Sequence, residues 1–230
     1  SLTSVAVDSS DSGTATAPSL VRVRAAQVAT AIAEWFRDRR GARVLLLIDS
    51  LTRVARAQRE VGLAAGEPPA RHGYPPSVFA LLPRLVERAG GAATGSITAI
   101  YTVLVAGGDL DEPIADEVRG LVDAHLVLDR RLAGRGHFPP LDVPGSVSRL
   151  ARSVVSAEHD AAARVVRGHL ATYDEHRDLI TLGAYRAGGD ARLDAAVAAM
   201  PHIERFTRQG ADEVAAWDTT ARDVLALGRR

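Results

Sequence analysis

An uninterrupted apolar run, Val44-Leu45-Leu46-Leu47-Ile48, stops abruptly on Asp49 and Ser50. Such a run predicts a strand of a parallel sheet, apolar throughout because helices cover both faces. Residues 4–8 alternate about Val5 and Val7 and predict a shorter strand, followed by a loose connection over 9–13. Pro18 opens a helical segment on which Val28, Ile32 and Trp35 recur at helical spacing, and Gly41 closes it. After the 44–49 strand come a helix carrying 54–61, a loop with Pro68-Pro69 and Gly73-Tyr74-Pro75-Pro76, and a helix over 77–89. The β-branched and aromatic stretch 97–105 predicts another strand, with Gly107-Gly108-Asp109, Asp111 and Glu112 at its end, and 124–128 a last short one. Strands separated by helices give an α/β fold with a mostly parallel sheet, flanking helices and right-handed crossovers.

After Arg149 the pattern becomes alanine-rich and helical, which divides the chain into an α/β part, 1–150, and a helical part, 151–230. Leu193, Val197 and Met200 recur on one helix face, with Asp190 placed to cap it and Pro201 expected just beyond its last turn. With 230 residues, 47% of them hydrophobic, the chain can bury a sizeable core. A formal net charge of zero argues against a dedicated nucleic-acid surface. The absence of cysteine excludes disulfides and thiolate metal sites, and the seven histidines are too scattered to suggest zinc. No apolar run approaches the roughly 20 residues that span a bilayer. Residues 1–16 lack the basic start and apolar stretch of a signal peptide, and with no initiator methionine a start upstream of Ser1 is expected.

An acid at the carboxyl end of a buried parallel strand lies where ligands of open α/β sheets collect. Asp49 therefore has two readings: it holds magnesium through water in a nucleotide site, or it caps the next helix. A phosphate site also needs a glycine loop ending in Lys-Ser or Lys-Thr, and this chain contains no lysine. Asp109, Asp111 and Glu112 serve either a metal or a solvated acidic turn; Gly73-Tyr74-Pro75-Pro76 is either a nucleotide-sensing loop or a rigid turn. Arg53 has two readings as well, a phosphate or inter-subunit contact and a structural salt bridge.

Five segments together resemble the ATPases of type III protein export, the family serving the flagellum and the injectisome and related to rotary ATP synthase catalytic subunits. They are residues 44–53, 57–90, 95–120, 130–150 and 179–197, covering nearly the whole chain, and the glycine- and proline-rich loop of the second is the most specific. The resemblance implies the later half of a RecA-like domain followed by a helical domain, ATP and magnesium as cofactors, and a cytoplasmic, hexameric ring. It implies export chaperones and substrates, stalk and regulator proteins as partners, and peripheral attachment to the membrane through the export gate. By residue, Asp49 matches the acid that positions magnesium and the attacking water. Arg149 matches the arginine finger reaching a neighbouring subunit, and Phe138 the aromatic, usually tyrosine, that stacks on adenine. Pro144-Gly145, where the family has small or apolar residues, makes the finger's aim uncertain. The family's phosphate loop and catalytic glutamate lie upstream of the matching segments, so these 230 residues alone are expected to be inactive. Two rival readings are a rotary proton-translocating ATPase subunit and a non-catalytic module that binds export partners.

Overall fold

The computed structural model describes residues 2–8 and 17–229, and the connection expected over 9–13 lies outside them. The chain packs as two units, Ser1–Val122 and Asp123–Arg230. The division drawn from sequence at residue 150 therefore falls inside the second.

The first unit is a sheet of β1 (Leu2–Asp8), β2 (Arg43–Asp49), β3 (Gly90–Gly91) and β4 (Ser96–Tyr101). Its order is β1-β2-β4-β3, with β1, β2 and β4 parallel and β3 antiparallel. The register sets Val5 beside Leu46 and Leu46 beside Ala99. Val44, Leu46 and Ile48 are buried on one face of β2 and Leu45 and Leu47 half-buried on the other. The helices are α1 (Ser19–Arg40), α2 (Leu51–Ala64), α3 (Pro76–Val86) and α4 (Pro113–Leu121).

Pro18 is the N-cap of α1, and Gly41 ends it in the left-handed conformation (φ 58°), its N–H bonded to Phe36 O. Three arginines in the last turn, Arg37, Arg39 and Arg40, complement the helix dipole. The buried face of α1 is not the one its periodicity suggested. Val23, Ala26, Ala29, Thr30 and Ala33 are buried, whereas Val28, Ile32 and Trp35 are exposed. Small residues let the helix axis approach the strands closely, so close packing selects the alanine face over the bulkier one. Glu34 on this helix is held below the usual carboxylate range by its forked hydrogen bonds from Arg88, against the opposing effect of burial.

The strand read over 97–105 ends at Tyr101. Beyond it the backbone is engaged by the end of β2 and the start of α2: Thr102 N–H donates to Ile48 O (3.1 Å), Leu51 N–H to Thr102 O (2.9 Å), and Leu104 N–H to the buried Thr52 hydroxyl (2.8 Å). Tyr101 is mostly buried, which pushes its phenol up to about 12 despite nearby Arg88. Tyr74 of the proline-rich loop is buried, lies under the Arg59 guanidinium (5.5 Å to the ring centroid) and meets Phe79 edge-on, so this loop is anchored in the core.

In the second unit β5 (Ala124–Leu128) pairs antiparallel with β6 (Leu141–Ser148), forming a sheet of its own. α5 (Arg130–Gly134) lies between them. α6 (Ala151–Val154), α7 (Ala157–Glu175), α8 (Arg177–Thr181), α9 (Ala191–Thr207) and α10 (Trp217–Leu227) follow. Val166, Ala199, Ile203 and Leu227 form a small core backed by Leu170 and Phe206. Asp190 caps α9, accepting from Arg192 N–H (2.8 Å) and Leu193 N–H (3.2 Å). Pro201 lies inside that helix instead of after it. Burial of Ala199 and Ile203 on either side carries the helix through a residue that cannot donate a backbone hydrogen bond. No described helix is long and apolar enough to cross a membrane.

Candidate functional site

Asp49 is the last residue of β2 and is exposed, whereas Ser50 is buried. Ser50 is the N-cap of α2, its hydroxyl accepting from Arg53 N–H (3.3 Å). Capping is thus done by the serine, and the carboxylate is left at the sheet's carboxyl edge beside the positive end of a helix. The Thr102 hydroxyl donates to Asp49 Oδ1. Groups of three or more histidine or acidic side chains suited to a metal are absent among the described residues. One carboxylate suits magnesium, which takes one or two protein carboxylates and completes its octahedron with water and phosphate oxygens. Asp109 and Asp111 are joined in a turn, Asp111 N–H donating to Asp109 Oδ1 (3.0 Å), and Glu112 is the N-cap of α4, which favours the acidic-turn reading.

Arg149 follows β6, exposed, with its backbone N–H donating to Asp123 O (2.8 Å). The segment before it is irregular in a specific way. His125 pairs with Val147 and Val127 with Asp142, so the four residues Val143, Pro144, Gly145 and Ser146 stand opposite Leu126 alone. The bulge is clamped from within and without. Asp142 Oδ1 accepts from Gly145 N–H (3.1 Å), the Ser146 hydroxyl donates to Asp142 O (2.6 Å) and accepts from Val127 N–H (2.9 Å). A Cβ on Gly145 would lie 2.5 Å from Asp142 Oδ2, so glycine is what lets the loop close on that carboxylate. From α7, Arg167 donates Nη1–H to Val143 O (2.7 Å) and a second guanidinium hydrogen bond to Ser146 O. Pro144-Gly145 therefore belongs to a fixed bulge that leads into Arg149. Sequence reading missed Arg167, because a side chain that recognises backbone carbonyls leaves no partner pattern in the sequence. Arg167→Ala is expected to lower stability by about 1.5–3 kcal/mol, the range for hydrogen bonds to a charged group, read as a fall in thermal midpoint. Arg167→Lys should recover only part, since an ammonium cannot fork to two carbonyls.

Phe138 stands at the other end of the β5–β6 hairpin, 54% exposed, its carbonyl accepting from Gln209 N–H (2.8 Å). The neighbouring His137 is buried and accepts at Nδ1 from Arg208 Nε (3.3 Å). The ring borders an open cleft of ≈ 820 Å³ lined also by Pro201, Glu204, Arg205, Arg208 and Gln209. An open aromatic face beside guanidinium donors suits a flat, polar-edged ring. The wall from α9 and its following loop was not singled out in the sequence. Asp49 belongs to one unit and Phe138 and Arg149 to the other, where the hairpin holds the latter two at opposite ends.

The ATP synthase alpha/beta family model, nucleotide-binding domain, matches residues 11–148. The chain belongs to the ATP synthase alpha/beta family. Within that family it aligns with the export branch: the model of the T3SS EscN ATPase C-terminal domain matches residues 155–225. It is 57% identical over 208 residues to the flagellum-specific ATP synthase of Treponema pallidum (strain Nichols), covering 90% of this chain and 46% of that protein. It is 52% identical over 202 residues to the type 3 secretion system ATPase of Xanthomonas euvesicatoria, covering 88% and 46%. Among solved structures, the assembled ATPase EscN of enteropathogenic E. coli in complex with its central stalk EscO superposes with a TM-score of 0.83 at 46% identity, covering 92% of this chain and 50% of that one. The chain thus spans about half the length of the relatives it matches, and the α/β fold with a helical C-terminal part is that of the family.

Proposed function

We propose that this chain is the acid- and finger-bearing part of an ATPase that energises type III protein export, flagellar in the first instance. The observation that carries the reading is Asp49, an exposed carboxylate at the carboxyl end of a buried parallel strand, with helix capping already done by Ser50. In this account Asp49 would hold magnesium and position the attacking water, and the ion, when bound, would supply charge neutralisation at the phosphoryl oxygens. Phe138 stacks on adenine, and Arg149 acts on the nucleotide of a neighbouring copy in a ring of six. The phosphate-binding lysine comes from the portion of the relatives' length that this lysine-free chain does not span. The match of residues 155–225 to an export ATPase domain favours export over a rotary proton-translocating subunit. The ranges of the two family models, ending at 148 and starting at 155, support a functional division near residue 150. Export chaperones, exported substrates, a central stalk and regulators are the proposed partners, and the cytoplasm, with peripheral attachment at the export gate, the proposed location.

The test is nucleotide binding and hydrolysis by the full-length gene product beside the 230-residue chain. The full-length product hydrolyses ATP with magnesium; the chain alone does not. In the full-length product Phe138→Ala weakens ATP about tenfold while leaving inorganic tripolyphosphate unaffected, and Phe138→Tyr binds as well as the parent. Equal ATP affinity in Phe138→Ala would remove the adenine role.

A further inference from the structure

We infer that Thr102 is a positioning residue for Asp49, fixing the carboxylate that holds magnesium; the inference rests on the proposed ATPase reading of Asp49. Three hydrogen bonds define the arrangement. Thr102 N–H donates to Ile48 O (3.1 Å), Leu51 N–H donates to Thr102 O (2.9 Å), and between these two rungs the Thr102 hydroxyl donates to Asp49 Oδ1. The two backbone bonds bracket Asp49 in sequence, the residue before it and the second residue after it. They fix the height of Thr102 against the edge of β2, so its hydroxyl reaches one carboxylate oxygen from a rigid base. The next residues lock the same junction, Leu104 N–H bonding to the buried Thr52 hydroxyl at 2.8 Å.

The terminal torsion of an aspartate has broad wells, and a hydrogen bond to one carboxylate oxygen narrows them. Magnesium demands near-ideal octahedral geometry, so a carboxylate that meets it through water must present its lone pairs in a set direction. A hydroxyl donating to one oxygen sets the carboxylate plane without adding charge. Thr102 is itself exposed and lies past the last residue of β4, so its side chain is not needed to build the core. Its β-branch also restricts χ1, which helps keep the hydroxyl on the Asp49 side.

The experiment measures Mn²⁺, as a paramagnetic substitute for Mg²⁺, bound to the full-length gene product in the presence of ADP, by electron paramagnetic resonance. Hydrolysis kinetics are followed in parallel. Thr102→Val keeps shape and branching and removes the hydroxyl; it should weaken Mn²⁺ binding about 10- to 100-fold, the usual effect of removing a group that orients a metal ligand. Its kcat should fall with the KM for ATP little changed. Thr102→Ser restores the hydroxyl and should bind Mn²⁺ like the parent, which also guards against a folding defect in the valine variant. In Asp49→Asn the further change Thr102→Val should cost nothing more, because the positioned group is already gone. Parental Mn²⁺ affinity in Thr102→Val, with binding lost in Asp49→Asn, overturns the inference alone. Parental affinity in both variants overturns the metal role of Asp49 and the inference with it.

Discussion

Replacing Arg149 by alanine in the full-length gene product should slow ATP hydrolysis by about 10³- to 10⁵-fold, the range by which an arginine finger accelerates phosphoryl transfer. A planar guanidinium places two parallel donors on phosphoryl oxygens as charge builds on them, and those bonds are strongest in the transition state. The loss should therefore appear in kcat, with ATP affinity close to parental. Arg149→Lys should recover little, since an ammonium presents no such fork. The backbone from which this exposed side chain projects is fixed. Its backbone is tied to Asp123 O, and the preceding bulge is held by Asp142, Ser146 and Arg167. A full-length Arg149→Ala product with parental turnover would reduce Arg149 to a surface arginine.

Asp49→Asn should lower kcat by about 10²- to 10³-fold, the loss expected when one preorganised electrostatic partner of the reacting group is removed. Asparagine keeps the size and hydrogen-bonding shape of the side chain, so secondary structure and assembly should be unchanged. It removes the negative charge that a divalent ion requires. Nucleotide should still bind, but the gain in affinity that Mg²⁺ gives ATP should shrink, measured by titration with and without the ion. Retention of that gain would move the metal to another acid.

Much of this arrangement was legible in the residues. The run 44–48 ending on Asp49 announced both a buried strand and where its acid would stand, because a two-sided apolar strand and a polar terminus leave few alternatives. Gly41 and Asp190 were legible as helix signals because capping is local chemistry. What escaped was set by tertiary contact. The exposed side of α1 carries the larger apolar residues, so periodicity located a helix and pointed to the wrong face. Pro201 was read as a stop, although buried neighbours carry the helix past it. From sequence the Pro144-Gly145 departure leaves the finger's aim uncertain, whereas Asp142 and Arg167 fix the segment through backbone groups. Thr102 carried no signal beyond membership of a strand; its hydroxyl acquires meaning only when β4 is registered beside β2.

The central claim is that Asp49 of one copy and Arg149 of the next serve a single nucleotide, and subunit mixing tests it directly. Asp49→Asn and Arg149→Ala products, each nearly inactive, are dissociated, mixed in equal amounts and reassembled. A site that combines Asp49 from the Arg149→Ala copy with Arg149 from the Asp49→Asn copy is complete, so about a quarter of the sites in randomly mixed rings regain both groups. The account predicts that the mixture hydrolyses ATP far faster than either variant alone. Activity no greater than the average of the two variants, in rings shown to be mixed, would contradict it.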